Sequence, residues 1–112
     1  MTAEEKLHLA EEIFEQLRKG MQRTSSGDEG KLSSEWTKWS AYAARKGLEN
    51  ALNFAKVMKD SRALRRNPRA CYNAIFQVAN NFKIKKDLEK LLPQDLAEVL
   101  GYVRWMLVAE KL

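Results

Sequence analysis

Apolar residues recur at every third or fourth position along most of the chain, a spacing that gives a helix one buried face. The first such segment opens with Thr2 and Glu5, which are placed as a capping box. Its predicted buried stripe consists of Leu7, Ala10, Ile13, Phe14 and Leu17. We expect this helix to end near Lys19 and Gly20, where cations are favourable at the C-terminal end of the helix dipole.

The segment from Ser34 to about Lys59 is predicted to be a single long helix. One of its arcs is rich in alanine and glycine, which lets a neighbouring helix approach closely, and the opposite arc is cationic apart from Glu49. The apolar arc comprises Trp36, Ala43, Ala44, Gly47, Leu48, Ala51, Phe54, Ala55 and Met58. The preceding residues, about 21–33, are small, polar and glycine-bearing, and we expect them to form a mobile loop.

A fresh helix start is indicated at Asn67 and Pro68, because asparagine is a favoured N-cap and proline suits the first helical position. We expect this helix to reach about Phe82. Its predicted buried stripe consists of Cys71, Ile75, Val78, Ala79 and Phe82, and its outer side of Arg69, Asn73, Gln77 and Asn80. Residues 84–92 predict a further short helix or a continuation, which Pro93 stops.

The last helix is predicted from Pro93 to near the C-terminus and is apolar nearly all round. Its core stripe comprises Leu96, Val99, Leu100, Val103, Met106 and Leu107. The far side is also largely apolar and includes Trp105 and Val108, with Tyr102 at the rim. Such a helix is either central in its fold or covered by another subunit, so Tyr102, Trp105 and Val108 are candidate protein-interface residues.

These patterns predict an all-α fold, a single domain over residues 1–112 that forms a compact bundle of about five helices. No alternating strand pattern and no internal repeat interrupts the helical spacing. No apolar run approaches the roughly 18 residues that a membrane span needs, and the acidic start of the chain is unlike a secretory signal. We therefore expect a cytoplasmic protein without a membrane partner, and the lone cysteine fits a reducing compartment.

Candidate catalytic and metal-binding groups are few. The chain has one histidine and one cysteine, far apart in sequence, so a Cys–His pair would need coincidental folding. Glu5 and His8 resemble half of a di-iron motif, but the second half is missing. There is no glycine-rich phosphate loop. We expect no enzyme activity, no metal, no cofactor and no small-molecule substrate.

Positive charge is concentrated in the middle of the chain. Residues 61–92 carry eight cations and two anions, whereas residues 1–30 carry four cations and seven anions, in a chain of net charge +5. Four of the central cations are arginines that meet a predicted helix N-terminus, where guanidinium groups can chelate phosphate oxygens. We predict nucleic-acid binding through Lys38, Arg45, Lys46, Lys56, Arg62, Arg65, Arg66, Arg69, Lys83, Lys85 and Lys86.

Two further groups could assist that binding. The amides of Asn73, Gln77 and Asn80 could bond to sugar or phosphate, and Trp39 and Tyr42 could stack on unpaired bases. Lys83, Lys85 and Lys86 could return to the side of the arginines in a bundle. Nothing in the pattern suggests base-specific reading, because the helix after Asn67 is half apolar.

A small, all-helical, basic chain without a catalytic constellation resembles the small subunits of multi-subunit CRISPR effector complexes. The residues that carry the resemblance are the basic positions Lys38, Arg45, Lys46 and Lys56, the run 62–69 and the apolar segment 100–107. The resemblance implies several copies stacked along a ribonucleoprotein, holding the guide–target duplex or the displaced strand by its backbone. It also implies other effector subunits and further copies of the chain as partners, and in some such systems this subunit is made from an internal start in a larger gene. The acidic first segment departs from that pattern.

Two other interpretations stay open. The chain could be a protein–protein adaptor that self-associates through its C-terminal helix, with its charge serving solubility. It could also be a small helical nucleic-acid-binding regulator, which would require sequence preference.

Overall fold

The computed structural model describes residues 1–24 and 31–112. Within these ranges the chain forms six helices and no strand, so the predicted all-α class is confirmed and the expected count of five is one too few. The helices are α1 (Ala3–Thr24), α2 (Lys31–Lys46), α3 (Leu48–Lys59), α4 (Arg66–Ala79), α5 (Phe82–Glu89) and α6 (Pro93–Ala109).

The predicted long helix from Ser34 to Lys59 is wrong, because it is broken at Gly47. Gly47 has φ 90° and ψ 161°, a conformation that is essentially open only to glycine. The break lets α3 turn against α2, and the indole Nε1 of Trp39 donates to the Ala51 carbonyl at 2.8 Å. In one straight helix these two residues would lie about 18 Å apart along the axis.

The expected loop over residues 21–33 is also partly wrong. Helix α1 continues to Thr24 and α2 begins at Lys31, while residues 25–30 lie outside the described part of the chain. Gly20 does not end α1, because it lies inside the helix where α1 contacts α4; a β-carbon there would meet that of Ala74 at 3.5 Å. Met21 continues the apolar stripe against the core.

Helix α4 begins slightly earlier than predicted. Its first helical residue is Arg66 and its N-cap residue is Arg65, so Asn67 and Pro68 lie inside the first turn. Proline is tolerated there because the first backbone N–H groups of a helix have no intrahelical partner.

Phe82 was predicted to be buried, but it is 82% exposed. The side-chain carbonyl of Asn81 accepts hydrogen bonds from the backbone N–H groups of Lys83 and Ile84 and starts α5 as a separate helix. The new helix turns Ile84 and Leu88 into the core. Phe82 lies two residues before Ile84, on the opposite side of the helix, and therefore faces away from the core.

The buried core lies around α4, which contacts α1, α2, α3 and α5, while α6 packs on α1 and α2. Trp36 and Trp39 are fully buried at its centre, and the Nε1 of Trp36 donates to the Leu100 carbonyl at 3.0 Å. The predicted stacking role of Trp39 is therefore wrong. Tyr42 is half-buried and stacks on Phe54, with ring centres 4.9 Å apart.

Two smaller corrections concern the apolar stripes. Leu7 and Ala44 were placed on buried faces, but both are exposed, and Leu9 is buried in α1 instead. The described helices include none with the length and apolar character needed to cross a membrane.

Candidate nucleic-acid interface

The arginine cluster, which we define as Arg62, Arg65, Arg66 and Arg69, lies where the connection 60–65 enters α4. The first three side chains are exposed and Arg69 is half-buried. None of the four takes part in an ion pair with any residue in the ranges 1–24 and 31–112. Four arginines thus share one end of a helix, and no carboxylate of the described residues forms an ion pair with them.

This placement is electrostatically unfavourable for the free protein. The N-terminus of a helix carries a partial positive charge, and the first turn of α4 has no acidic residue and no side-chain cap from Arg65. The Nε of Arg69 is buried and makes no hydrogen bond to the described residues, and an unsatisfied buried donor costs free energy. A bound anion would offset the crowded positive charge at this end of α4, because guanidinium groups form paired hydrogen bonds with phosphate oxygens.

A second basic group lies at the other end of α3. Arg45 and Lys46 are exposed at the C-terminus of α2, just before the Gly47 break. Lys56 is exposed in the last turn of α3. The predicted basic residues of this region therefore lie before α3, in its last turn and, as the arginine cluster, after it along the chain.

Two of the predicted binding lysines are engaged in ion pairs. Lys38 lies 3.4 Å from a Glu35 carboxylate oxygen on α2. The Nζ of Lys83 donates to both carboxylate oxygens of Glu12 on α1, at 3.0 and 3.1 Å, and this partner raises the pKa of Lys83. The acidic first helix thus meets a cation of its own chain.

The α5 lysines do not join the arginine cluster. Lys83, Lys85 and Lys86 follow the C-terminal end of α4, about 20 Å along the helix from Arg66. Lys86 places its Nζ 5.8 Å from the centre of the Phe82 ring. These lysines therefore lie beyond the end of α4 that is opposite to the arginine cluster.

The amide stripe, which we define as Asn73, Gln77 and Asn80, is exposed along α4. These residues follow Arg69 at intervals of three or four positions, so they lie on one face of the helix. The stripe leads from the arginine cluster at the start of α4 to α5 at its end. It provides neutral hydrogen-bond donors and acceptors between two basic ends.

Sequence reasoning missed the exposure of Phe82 beside the α5 lysines. The signal that could have revealed it is the pair of asparagines before an apolar spacing that restarts at Ile84 and continues at Leu88. Asparagine at that place is a strong helix-start signal. A second helix with its own phase follows from it.

The α6 surface is defined as Tyr102, Trp105 and Val108. Trp105 and Val108 are exposed, whereas Tyr102 is half-buried and hydrogen-bonded. Trp105 is 73% and Val108 is 56% exposed. The hydroxyl of Tyr102 donates to a Glu98 carboxylate oxygen at 2.6 Å. The other Glu98 oxygen lies 2.8 Å from the Nζ of Lys6 on α1.

The cysteine and the histidine of the chain lie in different surroundings. Cys71 is buried in α4, whereas His8 is exposed on α1. His8 lines an open cleft between α1 and α5 whose other lining residues are Met1, Glu4, Glu5, Leu9, Glu12, Lys83 and Asp87. In the described part of the chain, no three histidine, cysteine or carboxylate side chains come together as a metal site would require.

The chain matches no protein-family model, no curated protein and no solved structure. The resemblance to CRISPR small subunits therefore stays a prediction made from architecture and charge.

Proposed function

We propose that the protein is a non-catalytic subunit of a ribonucleoprotein that binds nucleic-acid backbone without reading sequence, as the small subunit of a multi-subunit CRISPR effector does. The observation that carries this proposal is the arginine cluster at the N-terminus of α4, which lacks an ion-pair partner in the described residues. A protein that used these arginines only for solubility would gain nothing from crowding them onto the positive end of a helix.

Phosphate is the ligand class that this arrangement favours. Arginine presents a rigid fork of donors that matches two phosphate oxygens, and a helix N-terminus attracts the same charge. Arg45 and Lys46, exposed at the C-terminus of α2, would hold a second stretch of backbone.

The bound molecule would be held without base-specific contacts. Phosphate contacts fix position but carry no sequence information, and the amide stripe is equally able to bond to sugar or phosphate oxygens. The expected partners are RNA or DNA, other effector subunits and further copies of this chain, in the cytoplasm. A regulator would instead show sequence preference in a competition assay.

Charge reversal of the cluster tests the proposal. We expect Arg65→Glu, Arg66→Glu and Arg69→Glu together to abolish binding of fluorescently labelled RNA and DNA, measured by anisotropy at 50 mM salt. The matched control reverses Lys19, Lys90 and Arg104, which are exposed elsewhere and change the net charge equally. Circular dichroism checks that both variants stay helical. Equal affinities for the cluster variant and the wild type would refute the proposal.

A second candidate function is a self-associating adaptor, and the exposed Trp105 and Val108 are the observation that favours it. Sedimentation at increasing concentration would then show oligomers that Trp105→Ser disrupts. Val57→Ser, which changes another exposed apolar residue on α3, is the control. A monomer at all concentrations would exclude this candidate.

A further inference from the structure

We infer that Phe82 is a stacking platform for an unpaired base, and that the preferred ligand is therefore a single strand; this inference rests on the proposed function. Phe82 is 82% exposed, more than any other large apolar residue of the described part of the chain. A single strand offers a free base face to such a ring, whereas the bases of a duplex already stack on each other.

The helix that carries the ring is held in place by its surroundings. Asn81 caps α5 through two hydrogen bonds to the backbone, and Phe82 is the first residue of that helix. Ile84 and Leu88 anchor the helix in the core, and Lys83 ties it to Glu12 of α1 at 3.0 Å. The platform is thus held on a fixed element at three points.

The neighbours of the ring have the charge that a nucleic-acid strand requires. Lys85 and Lys86 follow Phe82 by three and four positions, so they lie beside it on the helix surface. The Nζ of Lys86 is 5.8 Å from the ring centre, close enough to reach the phosphate of a base stacked there. An exposed aromatic between cations is the arrangement by which proteins hold single strands without sequence preference.

Trp105 shows what distinguishes this site from an exposed aromatic at a protein surface. Its neighbours at three and four positions are Gly101, Tyr102, Val108 and Ala109, none of them a cation. Cations therefore lie at these positions beside Phe82 and not beside Trp105. This difference favours a nucleic-acid base over an apolar protein segment as the group that covers Phe82.

The amide stripe connects the platform to the arginine cluster. From Arg66 to the end of α4 the helix spans about 20 Å, which a strand of about six nucleotides covers at a 3.4 Å rise. A strand whose phosphates bind the arginines could run along Asn73 and Gln77 and place a base on Phe82. Such a footprint lies within the roughly 4 to 16 nucleotides that a single-strand-binding domain occupies.

The test compares an oligo-uridine of twelve nucleotides with an RNA duplex of the same length, by fluorescence anisotropy. We expect Phe82→Ala to weaken single-strand binding roughly 5- to 150-fold and to leave duplex binding unchanged. Phe82→Trp should retain the affinity, because it restores a stacking surface. Trp105→Ala is the matched control and should bind both ligands as the wild type does.

A crosslink gives a second, direct readout. An oligonucleotide carrying 5-iodouridine should crosslink on irradiation to Phe82, in the tryptic peptide of residues 70–83, and Phe82→Ala should lose that crosslink. Unchanged single-strand affinity in Phe82→Ala, with binding still abolished in the arginine variant, would overturn the stacking inference and leave the proposed function standing. Absence of any binding by the wild type would overturn both.

Discussion

At the scale of single residues, the two buried tryptophans join helices as well as filling space. The indole N–H of Trp36 donates to Leu100 on α6, and that of Trp39 donates to Ala51 on α3. A buried indole needs such a partner, because an unmade hydrogen bond in the core costs free energy. The carbonyl groups that meet this need belong to other helices, so each bond depends on the tertiary arrangement.

Trp39→Phe should therefore lower the free energy of unfolding by roughly 1 to 3 kcal/mol, because it removes the hydrogen bond and leaves a smaller ring. Urea denaturation followed by circular dichroism measures the change. Trp105→Phe, at an exposed position, is the control and should stay within about 0.5 kcal/mol of the wild type. Similar decreases in both variants would contradict the assigned role of Trp39.

At the scale of helices, the backbone at Gly47 decides where α2 ends and α3 begins. Its positive φ costs glycine little and other residues much, although nothing lies within 4 Å of a β-carbon built there. Gly101 also has open space around it, but it lies inside α6 with an ordinary helical backbone. Alanine substitutions at the two glycines therefore measure the cost of backbone strain at Gly47, because a β-carbon would clash at neither position.

We expect Gly47→Ala to destabilise the protein by roughly 1 to 3 kcal/mol, because alanine is strained at that φ. Gly101→Ala should instead stabilise it by roughly 0.5 to 1 kcal/mol, since alanine favours the helix. The midpoints of urea denaturation provide the measurement. A stabilising Gly47→Ala would show that α2 and α3 can be rearranged without this conformation.

The arginine cluster should also destabilise α4, because it adds positive charge at the positive end of the helix dipole. Arg66 is exposed in the first turn, where an acidic residue would be favoured. Arg66→Glu should raise the free energy of unfolding by about 0.3 to 1 kcal/mol at low salt while it weakens nucleic-acid binding. Arg104→Glu, inside α6, should bring no such gain. A destabilised Arg66→Glu variant would mean that Arg66 supports the fold.

Helices α1 and α6 are tied by Lys6, whose Nζ lies 2.9 Å from Asp95 and 2.8 Å from Glu98. The hydrogen bond from Lys6 and the one from Tyr102 lower the pKa of Glu98, and the two carboxylates raise the pKa of Lys6. A lowered carboxyl pKa contributes stability above its unfolded value of about 4.3, which is lost as pH falls through the folded value. The raised pKa of Lys6 contributes stability below about pH 10, so both effects are present at neutral pH.

Glu98→Gln should therefore lower the urea midpoint at pH 7, and the difference from the wild type should shrink as pH falls below 4. Glu89→Gln changes a residue that is exposed at the end of α5 and serves as the control. It should leave the urea midpoint unchanged both at pH 7 and below pH 4. A difference that stays constant down to pH 2 would show that the charge of Glu98 does not stabilise the fold.

At the scale of the whole molecule, the charges divide among surfaces. The acidic part of α1 faces α5 through Glu12 and Lys83, while the basic groups lie at the ends of α3 and along α5. The cations without an ion-pair partner in the described residues are the ones able to release counterions from a nucleic acid. The salt dependence of the binding affinity therefore reports how many phosphates the molecule contacts.

If about six phosphates are contacted, the affinity should fall by roughly 2.5 to 3.3 decades between 50 and 200 mM salt. Replacing Arg65, Arg66 and Arg69 by alanine should reduce the slope of log affinity against log salt by about 0.7 to 0.9 for each phosphate that these side chains neutralise. Anisotropy titrations at four salt concentrations measure both slopes. A slope near zero for the wild type would contradict a backbone-binding surface.

Much of the fold could be predicted from the chain alone because helical periodicity is a local property. The capping box of Thr2 and Glu5 is present, with the Glu5 amide donating to the Thr2 hydroxyl at 3.2 Å, and α6 begins at Pro93 as predicted. The candidate site was less predictable. The basic residue types of the site could be predicted from the sequence. Phe82, however, was expected to be buried and is exposed, whereas Trp39 was expected to be accessible and is buried.

The sequence by itself determined the all-α class, the concentration of arginines before α4 and the apolar character of α6, since each depends on neighbours within a few positions. Only the tertiary structure decided that the helix breaks at Gly47, that Lys83 pairs with Glu12 and that Trp39 is buried between helices. Those outcomes depend on how one helix meets another. A periodic pattern states which face of a helix is buried, but not what lies opposite it.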